Sequence, residues 1–109
     1  MALVKIYIAS PYTKGDKEHN AYIQILAADV LACYGFIPHA PLLYHYWHGY
    51  FPHEPDFWLR LDLEWLPMCD ALLRLPGESE GADKEVARAI ELHIPVFYGL
   101  FELLTERGT

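Results

Sequence analysis

Basic residues are scarce in this sequence, and the shortage limits what the protein can bind. Its 109 residues include 8 Lys and Arg against 15 Asp and Glu, so the formal net charge is −7 at pH 7. Nucleic-acid polymers and anionic membranes bind proteins that carry an excess of positive charge. We therefore expect neither as a partner, whereas a small phosphorylated ligand needs only a few local donors.

Cysteine and long apolar runs are scarce as well. The chain has 2 cysteines, Cys33 and Cys69, both in apolar sequence, which is typical of buried free thiols in a reducing compartment. The opening MALVKIYIAS becomes polar too soon for a signal peptide, and no apolar run approaches the ~18 residues of a membrane-spanning helix. We expect one soluble, cytoplasmic domain over residues 1–109.

The hydrophobic pattern alternates between short strands and helices. The predicted strands cover residues 4–9, 36–41, 71–75 and 94–98, and the predicted helices cover residues 17–34, 56–68, 83–92 and 101–107. Asp56 is the expected N-cap of the second helix, and residues 42–55, without a clean period, are expected to form a long structured loop. The prolines of 36–41 favour an edge strand or a strand end.

This order predicts a flavodoxin-like, Rossmann-like three-layer α/β domain with a mostly parallel sheet of four to five strands. Ligands of such sheets bind outside the carboxyl ends of the strands. Three segments should therefore meet at one crevice, and these are SPYT (10–13), the aromatic stretch 42–55 and PGESEG (76–81).

Common phosphate and metal motifs are missing from the chain. No GK[ST] follows a glycine-rich loop, and neither GxGxxG nor HExxH occurs. His39, His45, His48 and His53 lie close together, but among Tyr and Trp residues rather than in a metal-ligand spacing. We expect no metal, and instead an aromatic stretch that stacks on a flat organic group or packs down as a lid. His45 and Trp47 are the candidates for contact with that group.

Pattern alone leaves the role of the other polar residues open. The acids of LPGESEGADKEVARA (75–89) suit a helix N-terminus, where the backbone dipole favours negative charge. Ser79 and the glycines of the same segment also suit an anion site. Asp62 is compatible with a solvated helix face, Tyr7 with a core strand and Asp70 with a cap before the third strand.

Taken in order, four of these residues resemble the active-site pattern of the nucleoside 2-deoxyribosyltransferase superfamily. The resemblance includes its 2'-deoxynucleoside 5'-monophosphate N-hydrolase branch and short deoxyribosyltransferase-like phage and bacterial members. It covers most of the chain, through IY (6–7), DLEWL (62–66), CDALL (69–73) and SEGADKEVARAIELHIPVF (79–97). In that family the site combines a Tyr of the first strand, an Asp eight residues before the Asp that opens the third strand, and the Glu of [S/D]xGxxxE.

The resemblance implies retaining cleavage or transfer at the N-glycosidic bond of 2'-deoxynucleosides or their 5'-monophosphates. It makes Glu85 the nucleophile, has Tyr7 orient it, and has Asp62 assist protonation of the leaving base. The expected substrate-binding residues are Ser79, Gly81, Ser10, Thr13, Asp70, His45 and Trp47. The remaining acids Glu78, Glu80 and Asp83 are then helix-terminal and surface charge.

The same resemblance implies no metal or organic cofactor and a homodimer or higher homo-oligomer. Ser79 favours monophosphate hydrolysis, because the nucleoside transferases tend to carry an acid there. The hydrolases carry an arginine after the first strand, and its absence here counts against monophosphate hydrolysis. Two alternatives stay open. One is a catalytically silent nucleotide-binding or sensing module of the same fold, and the other is an interaction protein whose aromatic stretch is the partner surface.

Overall fold

A computed structural model of the chain describes residues 4–107. Its elements are β1 (Lys5–Ala9), α1 (Lys17–Cys33), β2 (Ile37–His39), a 3-10 helix (Pro41–Leu43), α2 (Tyr44–Tyr50), α3 (Pro55–Trp65), a second 3-10 helix (Leu66–Met68), β3 (Ala71–Arg74), α4 (Glu80–Glu91), β4 (Val96–Tyr98) and α5 (Leu100–Arg107). The four strands pair in the order β2-β1-β3-β4, all parallel. The predicted three-layer α/β fold is confirmed, and β2 is an edge strand of this sheet.

Alternate side chains of the central strands enter two separate cores. Ile6 and Ile8 face α1 and α5, and pack with Leu31 and Leu103 among others. Tyr7 and its neighbours on the other face pack against α4 and the second 3-10 helix. Because side chains of a strand alternate between the faces of a sheet, this arrangement brings Tyr7 beneath α4.

The sheet reverses its winding between β1 and β3, and the loops that follow these strands meet there. Gly77, in the loop after β3, has a φ of +118°, and a Cβ at this position would lie 2.7 Å from Cγ of Pro11 in the loop after β1. Only glycine permits this approach. The crevice beside such a reversal is the usual ligand site of an open α/β sheet.

Two expectations about the segment between β2 and β3 are wrong. Residues 42–55 are largely helical rather than a loop, and α2 escaped the periodicity test because none of its residues is fully buried. Asp56 lies inside the first turn of α3 and is not its N-cap, since Pro55 occupies the first turn and Glu54 is the capping residue. Proline is favoured there because its ring already fixes a helical φ.

The cysteines also differ from expectation in one respect. Both are free, and Cys69 is buried as predicted, but Cys33 is exposed at the end of α1. Leu31 belongs to the buried stripe of the helix, whereas Ala32, Cys33 and Tyr34 at its end are exposed. Within residues 4–107, no helix has the length and apolar character needed to cross a membrane. Residues 1–3 and 108–109 of the expected domain lie outside the described residues.

Candidate active site

A cleft of about 530 Å³ opens at the carboxyl edge of the sheet. Its walls come from the loop after β1, from α2 and α3, and from the first turns of α4. The residues selected from the sequence that line it are Ser10, Thr13, His45, Asp62, Ser79, Gly81 and Glu85. Side chains that are far apart in the chain therefore face one cavity.

Tyr7 lies beneath this cleft and contacts it through Glu85. The Tyr7 hydroxyl donates a hydrogen bond to Oε2 of Glu85. Tyr7 is fully buried, and burial, followed by the charge of Glu85, raises its pKa far above the usual range of tyrosine. The phenol therefore keeps its proton and acts as a donor. The other carboxylate oxygen of Glu85 has no hydrogen-bond partner among the described residues and is free to meet a ligand.

Asp62 approaches the same cleft from α3. Its Oδ1 is buried and has no hydrogen-bond partner within the described chain. Burial, and then the nearby charge of Glu85, raise the pKa of Asp62 to about 8. A carboxyl group whose charged form is this poorly solvated holds its proton at neutral pH.

Glu85 is also buried, but its surroundings partly stabilise its charge. Burial raises the pKa of Glu85 to about 7, while the hydrogen bond from Tyr7 and the positive charge of Arg74 act in the opposite direction. Asp62 receives no comparable support. Of the two coupled carboxyl groups, Glu85 therefore ionises first and Asp62 remains the acid. This division is what a nucleophile and a proton donor require.

Hydroxyl groups from two loops line the cleft beside these acids. Ser79 is the N-cap of α4, where its Oγ accepts the backbone N–H of Ala82 at 3.1 Å. Ser10 is buried, and its Oγ accepts a hydrogen bond from the Gln24 side chain at 2.8 Å. A hydroxyl that accepts one hydrogen bond can still donate its own proton, so both serines can donate to a ligand. At Gly81 a Cβ would meet no atom within 4 Å, which leaves this part of the wall open.

Two of the expected substrate-binding residues are not brought to the cleft. Asp70 lies at the amino end of the sheet, where its Oδ2 accepts the backbone N–H of Lys5 at 2.8 Å. It therefore ties β1 to the start of β3, the capping role that the sequence also allowed. Trp47 does not line the cavity, and its ring instead packs edge-on against Tyr44 and Trp58 and remains 44% exposed.

Sequence reasoning missed three residues that shape the site. Tyr44 of α2 lines the cleft so close to Asp62 that the charge of Asp62 helps to raise its pKa, after burial. Gln24 joins the two sides of the cleft, since its amide also accepts the backbone N–H of Leu42 at 2.8 Å. Arg74 lies under α4. A detectable signal existed for the last two, because each is a polar residue within an apolar stripe or strand.

The four closely spaced histidines do not form one cluster, although His48 and His53 both contact Trp58. The His39 ring packs between Tyr7 and Trp65 at centroid distances of 5.4 and 5.3 Å. Burial lowers the pKa of His39. His45 bridges Tyr12 and Glu18, with contacts of 2.5 and 2.7 Å to its two ring nitrogens. His39 and His45 thus contribute to the packing around the cleft at different places.

The fold and this geometry define an α/β domain with an acidic cleft at the carboxyl edge of a parallel sheet. The chain belongs to the family described as a domain of unknown function (DUF7768), whose model matches residues 4–99. A search of curated proteins found no match.

Among solved structures, the fold is similar to that of 2-deoxyribosyltransferase from the psychrotolerant bacterium Bacillus psychrosaccharolyticus. The TM-score is 0.64 at 22% sequence identity, over 86% of this chain and 70% of that chain. This likeness supports the deoxyribosyltransferase-like fold that the sequence motifs implied. At this level of identity it concerns the fold, and the subgroup of the superfamily stays a prediction.

Proposed function

We propose that this protein cleaves or transfers at the N-glycosidic bond of 2'-deoxynucleosides or their 5'-monophosphates, with retention of configuration. One observation carries the proposal, namely that the Glu85 carboxylate is held by Tyr7 at a cleft that it shares with a protonated Asp62. The likeness of the fold to a 2-deoxyribosyltransferase supports the same reaction class.

In the first step, the free oxygen of Glu85 attacks C1' of the sugar. The C1'–O bond to Glu85 forms while the C1'–N bond breaks, and the electron pair of that bond passes to the base. Asp62 gives its proton to the departing base and becomes a carboxylate. Tyr7 keeps the attacking carboxylate oriented and stabilises its charge until the new bond forms.

In the second step, an acceptor attacks C1' from the opposite face and releases Glu85 as a carboxylate. The acceptor loses a proton to Asp62 as it attacks. Water then yields the free sugar, and a second base yields a new nucleoside. Asp62 thus changes from acid to base between the two steps, as the reversibility of each step requires. The choice of acceptor separates a hydrolase from a transferase.

Ser79 is the residue on which the 5'-monophosphate alternative depends. Its hydroxyl can still donate a hydrogen bond after capping α4, and Lys17 and Lys84 also line the cleft. A Ser79→Asp variant keeps the N-cap but adds negative charge. If the substrate is a monophosphate, this variant loses activity on it by at least about 10-fold, because the added charge repels the phosphate, while activity on nucleosides is retained.

The deciding experiment is base release from a panel of deoxynucleosides and their 5'-monophosphates, with and without a second free base, followed by chromatography. We expect release by the parent chain and its loss in Glu85→Gln. Glu91→Gln, the same exchange at an exposed site on the same helix, is the control and should keep the activity. Exchange seen only with an added base identifies a transferase.

Two outcomes would contradict the proposal. Equal release by the parent chain and Glu85→Gln would exclude Glu85 as the nucleophile. Binding of the ligands without release across the whole panel would favour the silent nucleotide-binding module instead.

A further inference from the structure

The neighbours of His48 determine which of its two ring nitrogens carries the proton. Nδ1 of His48 accepts the indole N–H of Trp58 at 3.0 Å and the backbone N–H of His53 at 3.2 Å. Both groups can only donate, so Nδ1 carries no proton and the neutral ring has its proton on Nε2. Within the described chain nothing accepts this Nε2–H, and His48 lines the cleft. The side chain therefore offers a donor to a ligand.

Neighbouring groups on the same wall are already engaged. Both ring nitrogens of His45 are occupied by Tyr12 and Glu18, and the Trp58 N–H is used by His48. The wall formed by α2 and Trp58 is therefore aromatic, and the Nε2–H of His48 is a donor on this wall that no described residue accepts.

Trp58, which donates its indole N–H to His48, lies about one helical turn from the proposed acid. Trp58 and Asp62 are four residues apart on α3 and both line the cleft, and this spacing corresponds to about 6 Å along a helix axis. His48 accepts the hydrogen bond of the Trp58 indole N–H. His48, Trp58 and Asp62 all line the cleft, so we infer that a base whose leaving edge receives the proton of Asp62 extends its remote edge along this wall toward His48.

We propose that the cleft selects bases with a carbonyl oxygen at C6 of a purine or at C4 of a pyrimidine, and that His48 is the specificity-determining residue. This inference rests on the proposed function and narrows its substrate class. A carbonyl oxygen accepts the Nε2–H of His48, whereas the amino group of adenine or cytosine presents a second donor to it. Two donors that face each other in a cleft both lose their hydrogen bonds to water.

The test compares matched substrates, either as nucleosides or as 5'-monophosphates. The pairs are 2'-deoxyinosine with 2'-deoxyadenosine and 2'-deoxyuridine with 2'-deoxycytidine. We expect the ratio of kcat/KM for the oxo over the amino substrate to fall by about 10- to 100-fold in His48→Phe. Comparison of the ratio between variants cancels the different reactivity of the leaving bases.

Two further variants make this comparison specific. His48→Gln, whose amide can donate or accept, should accept both members of each pair. Asp56→Asn is the control, because this exposed carboxylate also lines the cleft and could accept from an amino group. The oxo preference should persist in Asp56→Asn, and a loss of preference there with none in His48→Phe would overturn the inference.

A separate readout distinguishes failure of this inference from failure of the proposed function. Long-range proton–nitrogen NMR should find His48 as the Nε2–H tautomer, and an Nδ1–H tautomer would overturn the inference. If the parent chain cleaves all substrates without an oxo preference, the inference fails and the proposed function stands. If nothing is cleaved, the proposed function fails, and binding of deoxyinosine no tighter than that of deoxyadenosine overturns the inference as well.

Discussion

Asp62 and Glu85 line one cleft, but the neighbours of Glu85 favour its charge and those of Asp62 do not. With a pKa of about 7 for Glu85 and about 8 for Asp62, the form with an ionised Glu85 and a protonated Asp62 is most populated between these values. We therefore expect a bell-shaped dependence of kcat/KM on pH, rising as Glu85 loses its proton and falling as Asp62 does.

The alkaline limb of this profile can be assigned by substitution. Asp62→Asn removes the group that titrates there, so the fall above pH 8 should disappear while the rate drops by about 100-fold or more. An activity maximum near pH 5, or an alkaline limb that persists in Asp62→Asn, would contradict the assigned roles.

Tyr7 has a testable effect on the proton of Glu85. Tyr7→Phe retains the buried ring but removes the hydrogen bond that lowers the pKa of Glu85. The acidic limb of kcat/KM should therefore move to higher pH, and the rate should fall by about 10- to 100-fold. A lower rate with an unmoved acidic limb would mean that Tyr7 acts on packing alone.

At the scale of elements, the contact between the loops after β1 and β3 depends on Gly77. A Cβ at Gly77 would lie 2.7 Å from Pro11, and its φ of +118° disfavours any other residue. We expect Gly77→Ala to lower the free energy of unfolding by about 2 kcal/mol. Gly99 has a φ of +94° and open space around its Cβ position, so Gly99→Ala tests backbone strain alone. Denaturant unfolding should show the larger loss for Gly77→Ala.

The four acids around the start of α4 show how one element assigns different roles to similar residues. Glu78 pairs with Lys14 at 3.3 Å, and Asp83 pairs with Arg74 at 3.1 Å. Glu80 is exposed in the first turn. Glu85 is the one member that is buried and bonded to Tyr7. The helix turns a single acid toward the sheet, and the others meet solvent or a basic partner.

For the whole molecule, the buried acids couple stability to pH. Folding raises the pKa of Asp62 from 3.8 to about 8 and that of Glu85 from 4.5 to about 7. The folded state therefore binds these protons more tightly than the unfolded chain. Their contribution to the free energy of unfolding is fully present below about pH 4 and is lost as the pH rises toward 8.

Thermal unfolding should detect this coupling directly. We expect Asp62→Asn to be more stable than the parent chain at pH 8 by about 1–2 kcal/mol, because the buried carboxylate is gone. The difference in Tm should shrink toward pH 4. Asp56→Asn, at an exposed position of the same helix, should show no such pH-dependent difference, and an equal effect in both variants would contradict the burial argument.

The homo-oligomeric state of the protein stays a prediction, and exposed apolar side chains on α1 offer a way to test it. Tyr22, Ile23 and Leu26 of α1 are 57%, 38% and 45% exposed, and clustered apolar exposure is typical of protein interfaces. We expect light scattering to find a dimer or larger species of the 12.6 kDa chain. Leu26→Glu should shift it toward monomer, and a parent chain that is monomeric at high concentration would contradict the prediction.

Local patterns predicted most of the fold. The alternation of apolar strands with amphipathic helices was enough for the parallel sheet, because strand and helix periods are properties of neighbouring residues. The same test failed for α2, where no stripe is buried. It also misjudged Cys33, since apolar neighbours in sequence do not say which way one helix position points.

The sequence by itself determined the order of the elements, the parallel sheet and the edge at which the cleft opens, because these follow from short-range hydrophobic pattern and chirality. Tertiary structure alone decided which polar residues meet there. It brought Tyr7 to Glu85 across the sheet face, moved Asp70 to the far end, and gave His48 its proton position through Trp58. Such contacts depend on register and on helix rotation, which no local pattern specifies.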